Sequence, residues 1–488
     1  MPKANSSPYQ GEARWGYSDP AVTQSVLDER SSHAIPHVMT TPRPQHPFTV
    51  RHADVWKIAL PASVAFITEP LVGIIDIAVI GRLGDAGMLG GLVLGALLFD
   101  IIFSLAYFLR IGTAGLTAQA VGARDPRDGL LHVTRALLLG VSIGIVMIAL
   151  SAPILWLATT LLAPEAGASA ALAEYFNHRI WAAPFSLINY ALLGWFYGRA
   201  AAKTGMMLQL LLHGVNIVLS ILFVYVFHWG VTGAATSTVL AQATAAVVGL
   251  FVMLRHYGGF GAIVAKIAPG ELRDATALKR MFGLSRDLMI RSMALMGAYA
   301  WFAAQGSRMG EVALSANAIL LNLLMLLAYF LDGISQAAEQ LTGKAVGANW
   351  RPAFDQAYRL SFAWGLGLTL TLGLGWYLSG PWVIGAMTTN AEVQAYALTY
   401  LPIAALCSVI FMPAFLYDGI LVGTTLNSVM RNGMVVSLGV FLLAALALQP
   451  VFGNWGLWAA LHFWFIARGV YYYLAIERRK AWLFAPAA

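Results

Sequence analysis

This sequence predicts an all-α membrane fold, with twelve transmembrane helices in two pseudo-symmetric six-helix bundles, and three observations point to it. Charged residues make up only 11% of the 488 positions and apolar ones 59%, with a mean hydropathy of +0.70, whereas a soluble domain carries about 25% charged residues. The apolar residues are gathered into runs, among them 136–150, 217–227, 320–331 and 435–448, each flanked by Gly, Pro or charge. Joined to their neighbours, such runs reach the roughly 20 residues that a bilayer span requires. Short motifs also recur about 225 residues apart. The 47 Gly and 20 Pro suit membrane helices, where neighbouring segments satisfy freed backbone groups, so helices are expected in place of a barrel.

Taken in chain order, residues 1–55 are rich in Ser, Pro, His and Gln without an apolar period. They read as a disordered cytoplasmic tail. The tail lacks the apolar core of a signal peptide, so the first helix is expected to insert uncleaved. The first six spans fall at about 57–80, 88–109, 130–155, 177–198, 207–228 and 232–255, and make an N-terminal bundle over 56–256. A basic cytoplasmic linker, 257–282, opens with Gly258-Gly259. The second bundle, 283–488, has spans at about 283–305, 312–336, 357–379, 394–417, 430–449 and 455–475, then a short basic tail.

The loops alternate in charge. Arg110, Arg124 and Arg127, then Arg199 and Lys203, the linker, Lys344 and Arg351, Arg431, and Arg478 to Lys480 fall on one side; Glu165, Glu174 and Glu392 fall on the other. The positive-inside rule then puts both termini in the cytoplasm, in the inner (plasma) membrane. The net charge of +7 is spread among these loops and forms no stripe, so it reads as topology and no nucleic-acid partner is expected. A single cysteine, Cys407, leaves no disulfide framework and no Cys/His metal motif.

The repeat is visible by eye. Leu105-Ala-Tyr-Phe-Leu109 recurs as Leu327-Ala-Tyr-Phe-Leu331, Ala120-Val-Gly-Ala123 as Ala345-Val-Gly-Ala348, and Arg82-Leu-Gly-Asp85 is echoed by Arg308-Met-Gly-Glu311. Six spans return the chain to its starting side, so the halves share one orientation. Parallel repeats of this kind enclose a substrate site at their interface near the midplane.

Charges inside a bilayer are costly and are usually functional. On the first span Glu69, Gly73 and Asp76 fall at i, i+4 and i+7, on one helix face, with the carboxylates separated by roughly 10 Å along the axis. Pro70 between them opposes the carbonyl of Phe66 and predicts a hinge. A carboxylate in low dielectric has its neutral form favoured, the basic requirement for coupling to a proton gradient. Asp76 is the first candidate for that role, followed by Glu69 and Asp100. Glu69 could equally bond backbone freed by the proline. Polar partners for Asp76 in the same half are Asn189, Tyr190, His213, Asn216, Ser220 and Thr238, though small polar residues also bind helices together. In the second half Asp332 and Glu339 share a face, as a gating or structural network, and Asp287 and Arg291 read as an i, i+4 structural pair.

No GxxxxGK[ST], HExxH or nucleophile-elbow motif occurs in a usable context, so the chain is read as no enzyme, with no catalytic residues, metal or cofactor. Energy must come from an ion gradient or a partner.

Five segments together resemble the multidrug and toxic compound extrusion transporters, in the DNA-damage-inducible protein F branch. They are Glu69-Pro70-Leu-Val-Gly-Ile-Ile-Asp76-Ile-Ala-Val-Ile-Gly81-Arg-Leu-Gly84; Phe108-Leu-Arg-Ile-Gly-Thr-Ala-Gly-Leu-Thr-Ala-Gln-Ala120; Arg286-Asp287-Leu-Met-Ile-Arg291-Ser; Asp332-Gly333 with Glu339; and Asp418-Gly419 through Met430-Arg431-Asn432. The resemblance covers nearly all of the chain after residue 55. It implies a twelve-helix antiporter with a V-shaped cleft, exporting small organic compounds, often cationic xenobiotics, against proton or sodium entry, with Asp76 as the coupling acid. In relatives Asn216 and Thr238 match polar residues near that acid. Ser220 stands where many relatives carry a second acid, and His213 where Asn is common, so a two-carboxylate proton site is in doubt. Because the only Glu near Asp76 on its helix is two turns away, protons are favoured over sodium. The two-bundle design can work as a monomer in the lipid bilayer. Two other readings stay open: a flippase for lipids or lipid-linked oligosaccharides from the same superfamily, which predicts cationic cavity walls, and a polytopic membrane enzyme, which predicts a cluster of His or acids that the scattered His178, His213, His228 and His462 do not form.

Overall fold

The computed structural model describes residues 44–484 apart from residue 273, and every regular element within them is a helix. Of the expected tail, residues 1–43 lie outside the described residues. Residues 44–51 run extended along the second half of the chain: the His46 N–H donates to the Ala348 carbonyl at 2.9 Å, the Val50 N–H to Gln356 Oε1 at 3.0 Å, and the Lys344 ammonium sits 4.5 Å over the Phe48 ring.

The first half contains α1 (His52–Gly81), α2 (Ala86–Ala106), α3 (Phe108–Gly122), α4 (Pro126–Ala149), α5 (Ser151–Leu162), α6 (Ala166–Arg179), α7 (Ala183–Gly198), α8 (Ala202–Ile221) and α9 (Gly230–Tyr257). Two short helices, α10 (Phe260–Lys266) and α11 (Pro269–Leu272), occupy the linker. The second half follows as α12 (Ala275–Arg308), α13 (Glu311–Gly347), α14 (Arg351–Met387), α15 (Ala391–Gly423), α16 (Asn427–Phe452) and α17 (Asn454–Leu483). Residues 52–55, placed in the tail by composition, are the first turn of α1, and its start is fixed by Asp54 accepting from the Arg51 N–H at 2.9 Å. Likewise 275–282, read as linker, open α12. Helix α1 stays unbroken through Pro61 and Pro70.

Eight helical stretches of the described residues are long and apolar enough to cross a membrane. The other four expected spans fall on α6 to α7, α12, α14 and α17. The second stretch is the largest revision: Ala86–Gly122 runs for 37 residues with only a turn at Tyr107, where the sequence suggested an end at 109. Arg110 marks no end: it lies inside α3 and is 5% exposed.

The repeat is written in the backbone as well. Left-handed residues occur at Arg124 and Asn349, at Ala200 and Thr425, and at His228 and Gly453, each pair 225 positions apart. The same turns therefore close the same helices in both halves.

The halves meet mainly through α1 and α3 on one side and α13 and α15 on the other. The closest approach is made by the repeated Ala-Val-Gly-Ala motif. A Cβ added to Gly122 would stand 2.0 Å from the Lys344 carbonyl oxygen, and one added to Gly347 would stand 1.9 Å from that of Gln119. Only glycine lets backbone meet backbone in this way. Higher in the same seam, Gly333 faces the Ala59 carbonyl and Ser63 Oγ, and Ser63 Oγ donates to the Phe330 carbonyl at 3.1 Å. One buried apolar cluster runs through the second half and across this seam into residues 50–66, 130–133 and 192–208. A second cluster, built on Phe99, Tyr175, Phe176, Val231 and Ala234, contains first-half residues only. The halves are thus joined at the end that carries Gly122 and Gly347, and the far end of the first half packs on itself.

Large apolar side chains also point outward, among them Leu161, Trp382, Leu443 and Val451 at 70–78% exposure. Such a surface suits hydrocarbon and is unfit for water.

Candidate functional site

The polar residues singled out by the sequence separate into distinct clusters. The first lies within the first half, where α1, α8 and α9 pack together. Asp76 is 9% exposed. Ser220 Oγ donates to its Oδ1 at 2.8 Å and lies 2.7 Å from Ser237 Oγ. Asn216 Nδ2 donates to Thr238 Oγ1 at 3.1 Å and reaches Ser237 at 3.5 Å. The i, i+4 spacing of Asn216 and Ser220 on α8 and the neighbouring positions of Ser237 and Thr238 on α9 turn four small polar groups toward one carboxylate. Arg179, at the end of α6, lies within electrostatic range of both Asp76 and Asp100. It forms no ion pair with either among the described residues and instead donates to Tyr175 Oη at 2.6 Å and stacks over Phe99.

Three of the expected partners are elsewhere. Asn189 donates to the Gln242 side chain and carbonyl at 2.8 and 2.9 Å. His213 is buried with neither ring nitrogen bonded, one turn below Asn216. Tyr190 packs on Tyr107 and Phe103 and belongs to a second cluster.

That second cluster stands where the halves meet, with Arg110 at its centre. The guanidinium lies 4.5, 4.9 and 5.2 Å from the ring centres of Phe66, Tyr107 and Tyr197. It donates to Tyr107 Oη and, across the seam, to Gln336 Oε1 at 3.4 Å. Glu69 and Glu339 lie within its electrostatic range, and so does Asp332. On α13 the residues Asp332, Gln336 and Glu339 form an i, i+4, i+7 face like that of Glu69, Gly73 and Asp76 on α1. Glu339 is buried with one oxygen unbonded, whereas Glu69 and Asp100 are exposed to open space. Three carboxyl groups, of Glu69, Asp332 and Glu339, thus gather around one arginine where the halves meet.

From the sequence, Arg110 reads as a loop charge. The repeat held the signal that would have found it: Leu-Ala-Tyr-Phe-Leu is followed by Arg110 in one copy and by Asp332 in the other. These two residues lie within electrostatic range of one another across the seam.

A third cluster fastens the second half internally. The expected i, i+4 pair of Asp287 and Arg291 is not formed. Arg291 donates to Asp418 Oδ2 at 2.7 Å, and Arg431 to Asp287 Oδ1 at 2.6 Å. The two bridges tie α12 to α15 and to α16. Interhelical partners win because a buried charge needs close geometry, which a pair along one helix surface supplies poorly. Arg468, 1% exposed, stacks among Phe415, Trp464 and Phe465 with Asp418 at 3.8 Å. No group of three or more His, Cys, Asp or Glu among the described residues could hold a metal ion.

Comparison with known proteins matches the family model described as MatE to residues 61–222 and 289–451, one segment in each half. The chain is 33% identical over 439 residues to DNA damage-inducible protein F of Escherichia coli (strain K12), covering 88% of this chain and 92% of that one. It is 23% identical over 188 residues to the multidrug export protein MepA of Staphylococcus aureus (strain NCTC 8325 / PS 47), covering 38% and 42%. Among solved structures, a MATE crystal structure in the bent conformation superposes with a TM-score of 0.79 at 18% identity, over 89% of this chain and 99% of that one; this likeness is one of fold.

Proposed function

As this chain belongs to the MatE family of membrane transporters, we propose that it is a secondary active antiporter, and no enzyme, that exports small organic compounds, cationic ones above all, in exchange for protons. The observation that carries the reading is Asp76: a carboxylate 9% exposed, held by a serine hydroxyl and paired with no cation among the described residues. Hydroxyls suit such an acid in both of its states. Ser220 donates to the carboxylate, and by rotation its oxygen can accept from the carboxylic acid, with Ser237 taking up the displaced proton direction. A fixed arginine partner would hold Asp76 charged; a hydroxyl chain lets it load and unload. Sodium would need several oxygens converging on one point, and the reading favours protons.

The acidic space around Glu69, Asp100 and Asp332 supports cationic cargo and argues against a flippase for anionic lipid-linked sugars, which calls for cationic walls. Alternating access would part the seam at Gly122 and Gly347 while α1 bends at Pro70. The chain would act as a monomer in the inner membrane with both termini cytoplasmic.

The test is efflux of fluorescent organic cations from vesicles holding the purified protein, under a pH gradient and then under a sodium gradient. Native protein should respond to pH, and Asp76→Asn should lose that response while remaining folded. Full coupling in Asp76→Asn, or transport driven by sodium alone, overturns the assignment.

A further inference from the structure

We propose that the first half carries a binding site for a phosphate group, separate from the transport path, in a pocket beside the seam. The pocket encloses about 220 Å³ and is walled by the last turns of α3, α7 and α9 and the first turn of α4. Arg124 and Arg199 both line it, and neither is paired with a carboxylate among the described residues. Arg199 Cζ lies 4.6 Å from the centre of the Trp195 ring, and a guanidinium so placed suits bidentate capture of phosphate oxygens. Tyr257 Oη, also in the wall, accepts from Trp195 Nε1 at 3.2 Å and so keeps its own proton to give. Thr117, at the base, is 1% exposed and its hydroxyl has no partner. The one acid in the wall, Asp125, is engaged as the cap of α4, accepting from the N–H groups of Arg127 and Asp128 at 3.0 and 2.9 Å. Two guanidinium groups and two hydroxyls therefore line a space whose one carboxylate accepts both cap bonds at Oδ1.

The repeat supplies a comparison within the same chain. The positions equivalent to Arg124 and Arg199 in the second half are Asn349 and Thr424. There Lys480 is held by Glu477 at 2.6 Å and by Asp355 at 3.3 Å, and residues 46–50 lie across the surface. The second half closes this place with its own chain, and the first half leaves it open and cationic.

Phosphate could arrive on an anionic phospholipid headgroup, which a basic pocket at the membrane surface attracts, or on a soluble phosphate. Thermal unfolding of the intact protein in detergent separates the two. One arm adds phosphatidylglycerol or phosphatidylcholine to the micelles; the other titrates inorganic phosphate against chloride at matched ionic strength. Binding to the folded state raises the midpoint, by an amount that grows with the logarithm of ligand concentration above Kd. Phosphatidylglycerol acting alone identifies a lipid site, and inorganic phosphate acting equally well identifies a soluble one. The variant Arg124→Gln/Arg199→Gln should weaken the effect at least tenfold. Lys203→Gln/Arg478→Gln removes the same charge elsewhere and should leave it intact. Thr117→Val, which keeps volume and charge, should weaken it severalfold and serves if the double variant fails to fold. Equal stabilisation of native and variant proteins, or no response to either probe, overturns the proposal.

Discussion

Replacing Gly122 by alanine tests the seam directly. The new methyl would stand 2.0 Å from the Lys344 carbonyl oxygen and 2.8 Å from the Ala348 nitrogen, where real Cβ atoms do not come below 3.0 Å. Both neighbours are backbone, so no side chain can swing aside and the helices must separate by about 1 Å. Overpacking of this kind costs about 1–3 kcal/mol. Alanine also gains up to about 1 kcal/mol in helix propensity, but that gain is common to the closed and the parted seam and cancels between them. The net bias of about 1–3 kcal/mol moves the equilibrium toward the parted seam by about 5–150-fold. Spin labels on exposed Lys203 and Asn432, in a background with the buried Cys407 replaced, would report the separation by pulsed electron resonance in lipid vesicles. Gly122→Ala should populate longer distances, and Gly122→Ala/Gly347→Ala more so. Gly112→Ala on the same helix, where an added Cβ meets nothing within 4 Å, should leave the distribution unchanged. A double alanine variant with native distances and native or higher thermal stability would refute the close approach.

Three further perturbations follow from the clusters. Arg110→Asp and Asp332→Arg should each cost about 3–5 kcal/mol of stability by stranding buried charge, and the double exchange should recover part of the loss in thermal unfolding. Ser220→Ala removes the hydroxyl bonded to Asp76, a bond worth about 1.5–3 kcal/mol when the partner is charged; efflux should fall about tenfold, with Ser220→Thr close to native. Burial opposes the charge on Lys480, yet Glu477 and Asp355 together raise its pKa above the ordinary 10.5. The unfolded lysine therefore loses its proton first as pH rises, so the stabilisation is complete below 10.5 and fades as pH passes through the folded value. Lys480→Met should lower the unfolding midpoint at pH 7, and the gap to native protein should narrow in strongly alkaline buffer.

Much of the architecture could be read from the residues, and what escaped has a common cause. Apolar runs locate helices because lipid demands them, and the repeat could be seen because Leu-Ala-Tyr-Phe-Leu and Ala-Val-Gly-Ala survive in both copies. Helix ends were harder to place. Arg110 and the 275–282 segment read as loop from their charge, whereas Arg110 is sheltered by three aromatic rings and a glutamine from the other half. At the candidate site, the spacing on one helix brought Asn216 and Ser220 together and grouped Glu69 with Asp76 as steps on one path. Contacts between helices decide the rest. Asn189 is claimed by Gln242, Glu69 lies within electrostatic range of Arg110, and Arg291 reaches Asp418 over a separation of 127 positions. No periodicity within a segment encodes such choices.

The seam has a further consequence for how such a chain can be assembled. Gly122 rests on residue 344 and Gly347 on residue 119, and 119 and 344 are themselves 225 positions apart, so the contact is its own mirror under exchange of the halves. That is the isologous geometry of a homodimer, and by this contact alone each half could pair with a second copy of itself. The residues that follow the repeated pentapeptide distinguish the pairings. Two first halves would lack Asp332, and two second halves would lack Arg110. Only the mixed pair brings the two together, and fusing the two halves in a single polypeptide guarantees that pairing in every molecule made.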